Sequence, residues 1–177
     1  AKEEISDNVR LSCQIKVRED MDIEIPEELF NIKEYMATVE SVEDLTHDIK
    51  KVRLALSDPP TISFTPGQYI QLECPSYKLN PEPVYRAYSV ASDPDDNAHI
   101  DLIIRLVPQG ICTTWVFEYM QEGDSVKLNG PYGDFYLRDN DNELIFIAGG
   151  SGMAPFCSML PVLVRNDDQR TIRYFFG

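Results

Sequence analysis

The sequence has no long hydrophobic run. Its longest unbroken apolar stretch is the five residues Leu144–Ala148, against roughly 20 for a membrane-spanning helix. The opening Ala1-Lys2-Glu3-Glu4 leads into polar sequence with no apolar h-region, so a secretory signal peptide is not expected. Cysteine is scarce as well. Cys13, Cys74, Cys112 and Cys157 lie 61, 38 and 45 residues apart. No pair has CxxC spacing, which argues against a self-contained zinc site, and the thiols are expected to be free in a reducing cytosol. Of the two histidines, His47 lies in a charged stretch and His99 at a strand start. Both read as surface residues, and neither is paired in sequence with a Ser or Cys nucleophile, so hydrolase chemistry has little support. Basic residues are outnumbered: 16 Lys and Arg against 30 Asp and Glu, a net charge of −14. A chain this acidic repels phosphate backbones, so nucleic acid is not an expected partner. Acid exceeds base in residues 1–60 and in 61–177 alike, which reads as solubility rather than an acidic tail.

What is present suits a soluble globular chain. The 177 residues are 43% hydrophobic, enough for one domain, or one and part of another. Residues 1–33 are mixed and acidic, with scraps of strand ahead of Pro26. From Tyr35 the pattern turns to period two: Val52, Leu54, Leu56; Ile70, Leu72; Ile100, Leu102, Ile104, Leu106; Val126, Leu128. Pro66-Gly67, Asp93-Pro94 and Glu122-Gly123-Asp124 are among the turn signals between these runs. Short strands at such spacing predict a barrel or a sandwich. After Asn142 the pattern changes. Leu144–Ala148 reads as a strand buried on both faces, then come Gly149-Gly150-Ser151-Gly152, a helix over Met153–Arg165 that Pro161 is expected to interrupt or end, and a strand over Thr171–Phe176. That is one β-α-β unit. A doubly wound domain needs more strands, so the chain is expected to be a fragment of a longer polypeptide.

Three clusters carry chemistry. Arg86-Ala87-Tyr88-Ser89 puts a guanidinium, an aromatic ring and a hydroxyl on one strand, with Arg86 and Tyr88 on one face and Ser89 on the other; the plain alternative is an ordinary barrel strand. Gly110-Ile111-Cys112-Thr113-Thr114 precedes a helical segment, Trp115–Met120, where free backbone N–H groups and the helix dipole favour an anion; the alternative is a simple N-cap by Thr113. Gly149–Pro155 is a glycine-rich turn between a buried strand and a helix, where bare backbone can approach a pyrophosphate; the alternative is a tight turn without a ligand.

In this order the motifs resemble the ferredoxin–NAD(P)⁺ reductase superfamily: R-x-Y-S on a barrel strand, G-x-C/M-S/T at the barrel helix, and G-G-x-G-x-A-P opening a nicotinamide domain. Pro66–Ile70 and Gly130–Phe135 resemble further segments of that family, and the similarity covers about residues 34–177. Val9–Gln14 resembles the last cysteine segment of a plant-type [2Fe–2S] domain. Asp20-Met21 and Ile25–Phe30 resemble the linker found in the F-type subunits of Na⁺-translocating NADH:quinone oxidoreductases. The first three cluster cysteines and a membrane helix of those proteins have no counterpart here.

The resemblance implies a mainly β fold: a Greek-key antiparallel FAD-binding β-barrel with one helix over 34–142, followed by a truncated α/β, parallel-sheet nucleotide-binding unit over 143–177. Residues 1–33 are then a remnant of a ferredoxin-like domain with its linker. It implies that Arg86 pairs with the FAD pyrophosphate, that Tyr88 stacks on the isoalloxazine, and that Ser89 hydrogen-bonds near flavin N5, making Ser89 and Tyr88 the catalytic pair. Gly110, Cys112 and Thr113 hold the pyrophosphate, and Gly150, Gly152 and Ala154 face the NADH phosphates. Cys13 ligates iron only in an intact [2Fe–2S] domain, so the cluster belongs to the full-length parent and Cys13 is expected to be a free thiol here. The implied function is NADH-dependent reduction of FAD, with electrons passed to a [2Fe–2S] centre and a quinone-linked membrane complex. The implied partners are a nicotinamide nucleotide and the other subunits of that complex, at the cytoplasmic face of the membrane. The rivals are the reductase component of a multicomponent oxygenase and a flavin-free β-barrel binding module.

Overall fold

A computed structural model describes residues 32–177 together with Arg18, Asp20 and Asp22. Cys13, Val9–Gln14 and the Ile25–Phe30 linker match lie outside the described residues. The period-two runs form strands as read: β1 (Lys33–Thr46), β2 (Ile49–Asp58), β3 (Tyr69–Cys74), β4 (Val84–Ser89), β5 (His99–Arg105) and β6 (Ser125–Tyr132), with α1 (Ile111–Glu118) between β5 and β6. They make one antiparallel sheet in the order β4-β3-β6-β1-β2-β5. Because β6 inserts between β3 and β1, sequence neighbours are not all sheet neighbours, the mark of a Greek key.

Alternation decides which side chains are buried. Ile70 and Leu72 on β3, Val52 and Leu54 on β2, and Ile100, Leu102 and Ile104 on β5 are all fully buried in one core. Leu56 is only partly buried at its margin. The long β1 reaches both neighbours by bending, with register shifts at Met36/Ala37, Val39/Ser41 and Asp44/Thr46; such bulges increase local twist. The sheet curls until its two edge strands meet. Val90, just past β4, bridges Leu102 of β5, and Ala91 N–H donates to the Asp101 carbonyl at 2.8 Å. Away from that bridge the edges part, and the gap becomes the cleft described below.

The second unit is β7 (Leu144–Ala148), a 3₁₀ turn over Gly150–Met153, α2 (Ala154–Arg165) and β8 (Ile172–Phe176). β7 and β8 pair in parallel, Leu144 opposite Ile172. Two expectations are corrected here. Leu144–Ala148 is not covered on both faces among the described residues: Phe146 is buried against Phe156, Met159 and Leu163, while Ile147 is 73% exposed. Pro161 neither interrupts nor ends the helix, which continues to Arg165. Proline removes one backbone donor, but Phe156, Met159 and Leu163 hold the helix to its sheet on both sides of that gap. No helix among the described residues is long and apolar enough to cross a membrane.

Candidate functional site

Register sorts the first motif. On β4, Arg86 pairs with Leu72 and Tyr88 with Ile70, whereas Ser89 pairs with Tyr69. Arg86 and Tyr88 therefore stand on the side of the buried β3 residues, and Ser89 on the other, as the two-residue period requires. Arg86 and Tyr88 line a cleft of about 620 Å³ with Gly110, Cys112, Thr113 and Ser151, a size within the usual range for cofactor pockets.

The floor of the cleft is the start of α1. The helix begins at Ile111, a full turn before the Trp115 start suggested by its apolar stretch, and its N-cap is Gly110, with no side-chain cap. Thr113 is thus not the N-cap. Its Oγ1 accepts from Val107 N–H at 3.2 Å and lies 3.3 Å from the Gly110 carbonyl, inside the first turn. A Cβ on Gly110 would lie 2.6 Å from that Thr113 oxygen, so only glycine fits there. The first-turn amides have no intrahelical acceptor, and no acidic side chain occupies the first turn. Arg86 makes no ion pair among the described residues; its Nη1 donates to the Tyr85 carbonyl at 2.8 Å. An uncommitted guanidinium above an uncapped helix start suits a phosphate.

Cys74 and Cys112 do not supply a nucleophile. Burial raises the Cys112 thiol above its ordinary range, and burial, with Cys112 beside it, pushes Cys74 up to about 12. Both are protonated at neutral pH, and protonated thiols are poor nucleophiles. Burial likewise raises the Tyr88 phenol, leaving a neutral ring on the cleft wall. Cys74, Cys112 and Cys157 are all free.

The glycine turn meets this cleft through Ser151. Gly150 has φ +52°, and Gly152 has open space where a side chain would begin. Gly150, Gly152, Ala154 and Ser89 are not among the cleft-lining residues; Ala154 is buried. Four lining residues lie outside the motifs of the sequence reading, Ile103, Arg105, Val107 and Gln109, and Ser151 stood inside the glycine motif without being singled out. Alternation places Arg105 in phase with Ile103 and out of phase with buried Leu102 and Ile104. It could not show that this outward side faces a cleft. Arg105 donates Nε–H to Asp48 Oδ2 at 2.8 Å, and Asp48 is held ionised first by the Thr46 hydroxyl and then by Arg105. His47 is exposed, whereas His99 is half-buried with Nδ1 2.6 Å from Asp96.

Comparison with known proteins gives these features a context. Residues 36–136 match the oxidoreductase FAD-binding domain family. The chain is 34% identical to the F-type subunit of the Na(+)-translocating NADH-quinone reductase of Neisseria meningitidis serogroup B, over 213 aligned positions covering 100% of this chain and 52% of that protein. It spans about half the length of the curated relatives it matches. Among solved structures, Amycolatopsis cytochrome P450 reductase GcoB superposes with a TM-score of 0.74 at 30% identity, covering 82% of this chain and 43% of that one. The ferredoxin reductase in carbazole 1,9a-dioxygenase superposes at 0.71 and 29% identity, covering 82% and 42%.

Proposed function

Because the chain belongs to the family of oxidoreductase FAD-binding domains, we propose that it is the flavin-holding module of an NADH-dependent electron-transfer protein, the counterpart of part of the F-type subunit of a Na⁺-translocating NADH:quinone reductase. The observation that carries this reading is the convergence of Arg86, Tyr88, Gly110, Cys112 and Thr113 with Ser151 in one cleft. Motifs 65 residues apart in the chain meet where a dinucleotide would need them.

The residues present fit FAD. The Arg86 guanidinium and the first-turn amides at Cys112 and Thr113 bind the pyrophosphate, and Gly110 lets the Val107 loop close against Thr113 at that helix start. Tyr88 presents a neutral ring as a stacking surface for the isoalloxazine. Ser89, next along β4 but on its other face, is assigned to the reactive edge of the ring by its motif. Gly150, Gly152 and Ala154 are assigned to the nicotinamide nucleotide, with Ser151 bringing that turn to the cleft. A bound flavin supplies two-electron acceptance from a hydride and one-electron release to an iron–sulfur centre; the protein supplies orientation and electrostatics. In this reading residues 34–142 are the flavin domain and 143–177 the beginning of the nucleotide domain. The [2Fe–2S] centre, the quinone-linked subunits and the cytoplasmic membrane face belong to the whole protein.

The test is reconstitution with FAD and titration by flavin absorbance and fluorescence. Stoichiometric uptake that Arg86→Ala weakens is the expected result. A chain that takes up no FAD would instead be a flavin-free binding module. A second reading, reductase component of an oxygenase, is favoured by the two solved relatives near 30% identity, one a cytochrome P450 reductase and one the reductase of a dioxygenase. Electron acceptance by a quinone or by an oxygenase component from the full-length protein separates the two.

A further inference from the structure

Among the described residues, α2 is tied to the barrel by hydrogen bonds at two places outside the cleft, while the 3₁₀ turn itself packs against β5. Near the middle of α2, Gly67 N–H of the barrel donates to Ser158 Oγ at 3.2 Å, and Ser158 is fully buried. Gly67 has φ +103°, and a Cβ there would lie 1.8 Å from the Phe135 carbonyl oxygen and 2.5 Å from the Met159 methyl. The seam therefore closes only on bare backbone. At the C-terminal end of α2, Arg165 makes a fork with Asp93, Nη1 to Oδ2 at 2.8 Å and Nη2 to Oδ1 at 2.9 Å. Its Nε lies 3.0 Å from Asp95 Oδ2. The Arg165 guanidinium holds Asp93 below its usual carboxylate range.

Asp93 and Asp95 belong to the loop between β4 and β5, the two strands whose parted edges form the cleft. The same loop is tied to the barrel from its other side: Asp96 accepts from Arg53 and contacts His99 Nδ1 at 2.6 Å. One short loop segment, Asp93-Pro94-Asp95-Asp96, thus has its carboxylates divided between the barrel and α2. From Ala154 to Arg165 the helix is a rod of about 18 Å. Its far end is clamped by this loop, and its near end continues from the turn whose Ser151 reaches the cleft.

We propose that Arg165 is a positioning residue: by clamping the end of α2 to the Asp93–Asp96 loop, it sets where the Gly149–Gly152 turn stands against the cleft. A bidentate Arg–carboxylate fork fixes orientation as well as distance, and a fixed helix carries that orientation to its other end. The residue touches neither ligand and acts through α2. This inference rests on the flavin-module reading.

The test uses the whole chain, by amide NMR with and without FAD. In the parent, FAD is expected to shift the amide signals of Gly110, Cys112 and Ser151. In Arg165→Gln, the Gly110 and Cys112 shifts persist and FAD affinity stays within two-fold, while the Ser151 shift is lost. Without FAD, the Gly67 amide exchanges at least ten-fold faster in that variant, with the barrel amides of Val52 and Leu54 unchanged. Arg165→Lys, which keeps the charge but not the fork, falls between, and it gives the same readout should the glutamine variant unfold. An unchanged Ser151 shift together with unchanged Gly67 exchange in both variants overturns the proposal. If FAD shifts none of the three amides in the parent, the flavin reading itself fails, and the proposal with it.

Discussion

Arg86 on β4 and Arg105 on β5 line one cleft from opposite edge strands, and only Arg105 is already paired, its Nε donating to Asp48 at 2.8 Å. Arg86 keeps its charge for whatever enters. A charged hydrogen bond contributes about 1.5–3 kcal/mol. Arg86→Ala should therefore weaken FAD roughly ten- to hundred-fold, read by flavin fluorescence titration. Arg86→Lys should lie between, since an ammonium keeps the charge but lacks the planar fork. Affinity in Arg86→Ala equal to the parent would remove Arg86 from the site.

The loop into α1 stores strain. Gly110 N–H donates to the Val107 carbonyl at 2.9 Å, closing a turn with Pro108 and Gln109 at its centre, and Gln109 has φ +63°. A left-handed residue other than glycine is disfavoured by about 1–2 kcal/mol. Part of that gain is offset by the greater freedom glycine brings to the unfolded chain. Gln109→Gly should raise stability by about 1 kcal/mol, seen as a higher urea midpoint with an unchanged slope. Gln109→Ala should give no such gain. A lower midpoint for the glycine variant would mean that the Gln109 side chain contributes contacts that outweigh the strain.

Tyr85 and Glu73 pair across β3 and β4 on the face away from the cleft. Tyr85 donates its hydroxyl to Glu73 Oε2 at 2.6 Å, and that bond, helped by burial, pushes the Tyr85 phenol up to about 12. A folded value above the unfolded one, about 10, stabilises the fold fully below about pH 10 and loses that effect as pH rises towards 12. Because Tyr85 is 36% exposed, solvent screens the pair and the contribution is small. Thermal melts of the parent and of Tyr85→Phe should differ slightly at pH 8 and converge near pH 12. A difference that is constant across this range would put the effect of Tyr85 in packing rather than in the hydroxyl bond.

The barrel was legible because its cause is local. Ile100, Leu102 and Ile104 alternate in sequence and are each fully buried, and the opposite phases of Arg86 and Ser89 follow from the same period. The Arg86 and Gly110–Thr113 parts of the cleft were legible as motifs because each is a short local stretch of chain. What could not be read depends on contacts between distant segments. Arg105 joins the cleft only because the β4 and β5 edges meet at Val90 and Leu102 and then separate. The pairing of Arg165 with Asp93 spans 72 residues, and the only local signals were a turn at Asp93-Pro94 and a basic residue ending a helix. The start of α1 was misplaced because Ile111–Thr114 carries no side-chain cap for a sequence reading to find.

Pro161 shows the same limit, and it yields a test. Local propensity disfavours proline inside a helix by about 3 kcal/mol relative to alanine, yet α2 runs through it to Arg165. The helix is held by tertiary contacts on both sides: Phe156 stacks on Phe146 with centroids 4.6 Å apart, Leu163 is buried, and Arg165 is clamped by Asp93. These contacts offset a missing N–H that would otherwise donate to the Cys157 carbonyl. Pro161→Ala restores that donor and removes the ring, while the freer unfolded chain takes back about 0.4–1 kcal/mol. The net expectation is a gain of about 2 kcal/mol less whatever packing the ring contributed, concentrated in α2. Amide exchange in α2 should slow several-fold, the barrel amides should change little, and FAD affinity should stay within two-fold because Pro161 does not line the cleft. Faster exchange in α2 after the substitution would show that the proline ring contributes packing that exceeds its cost to the helix.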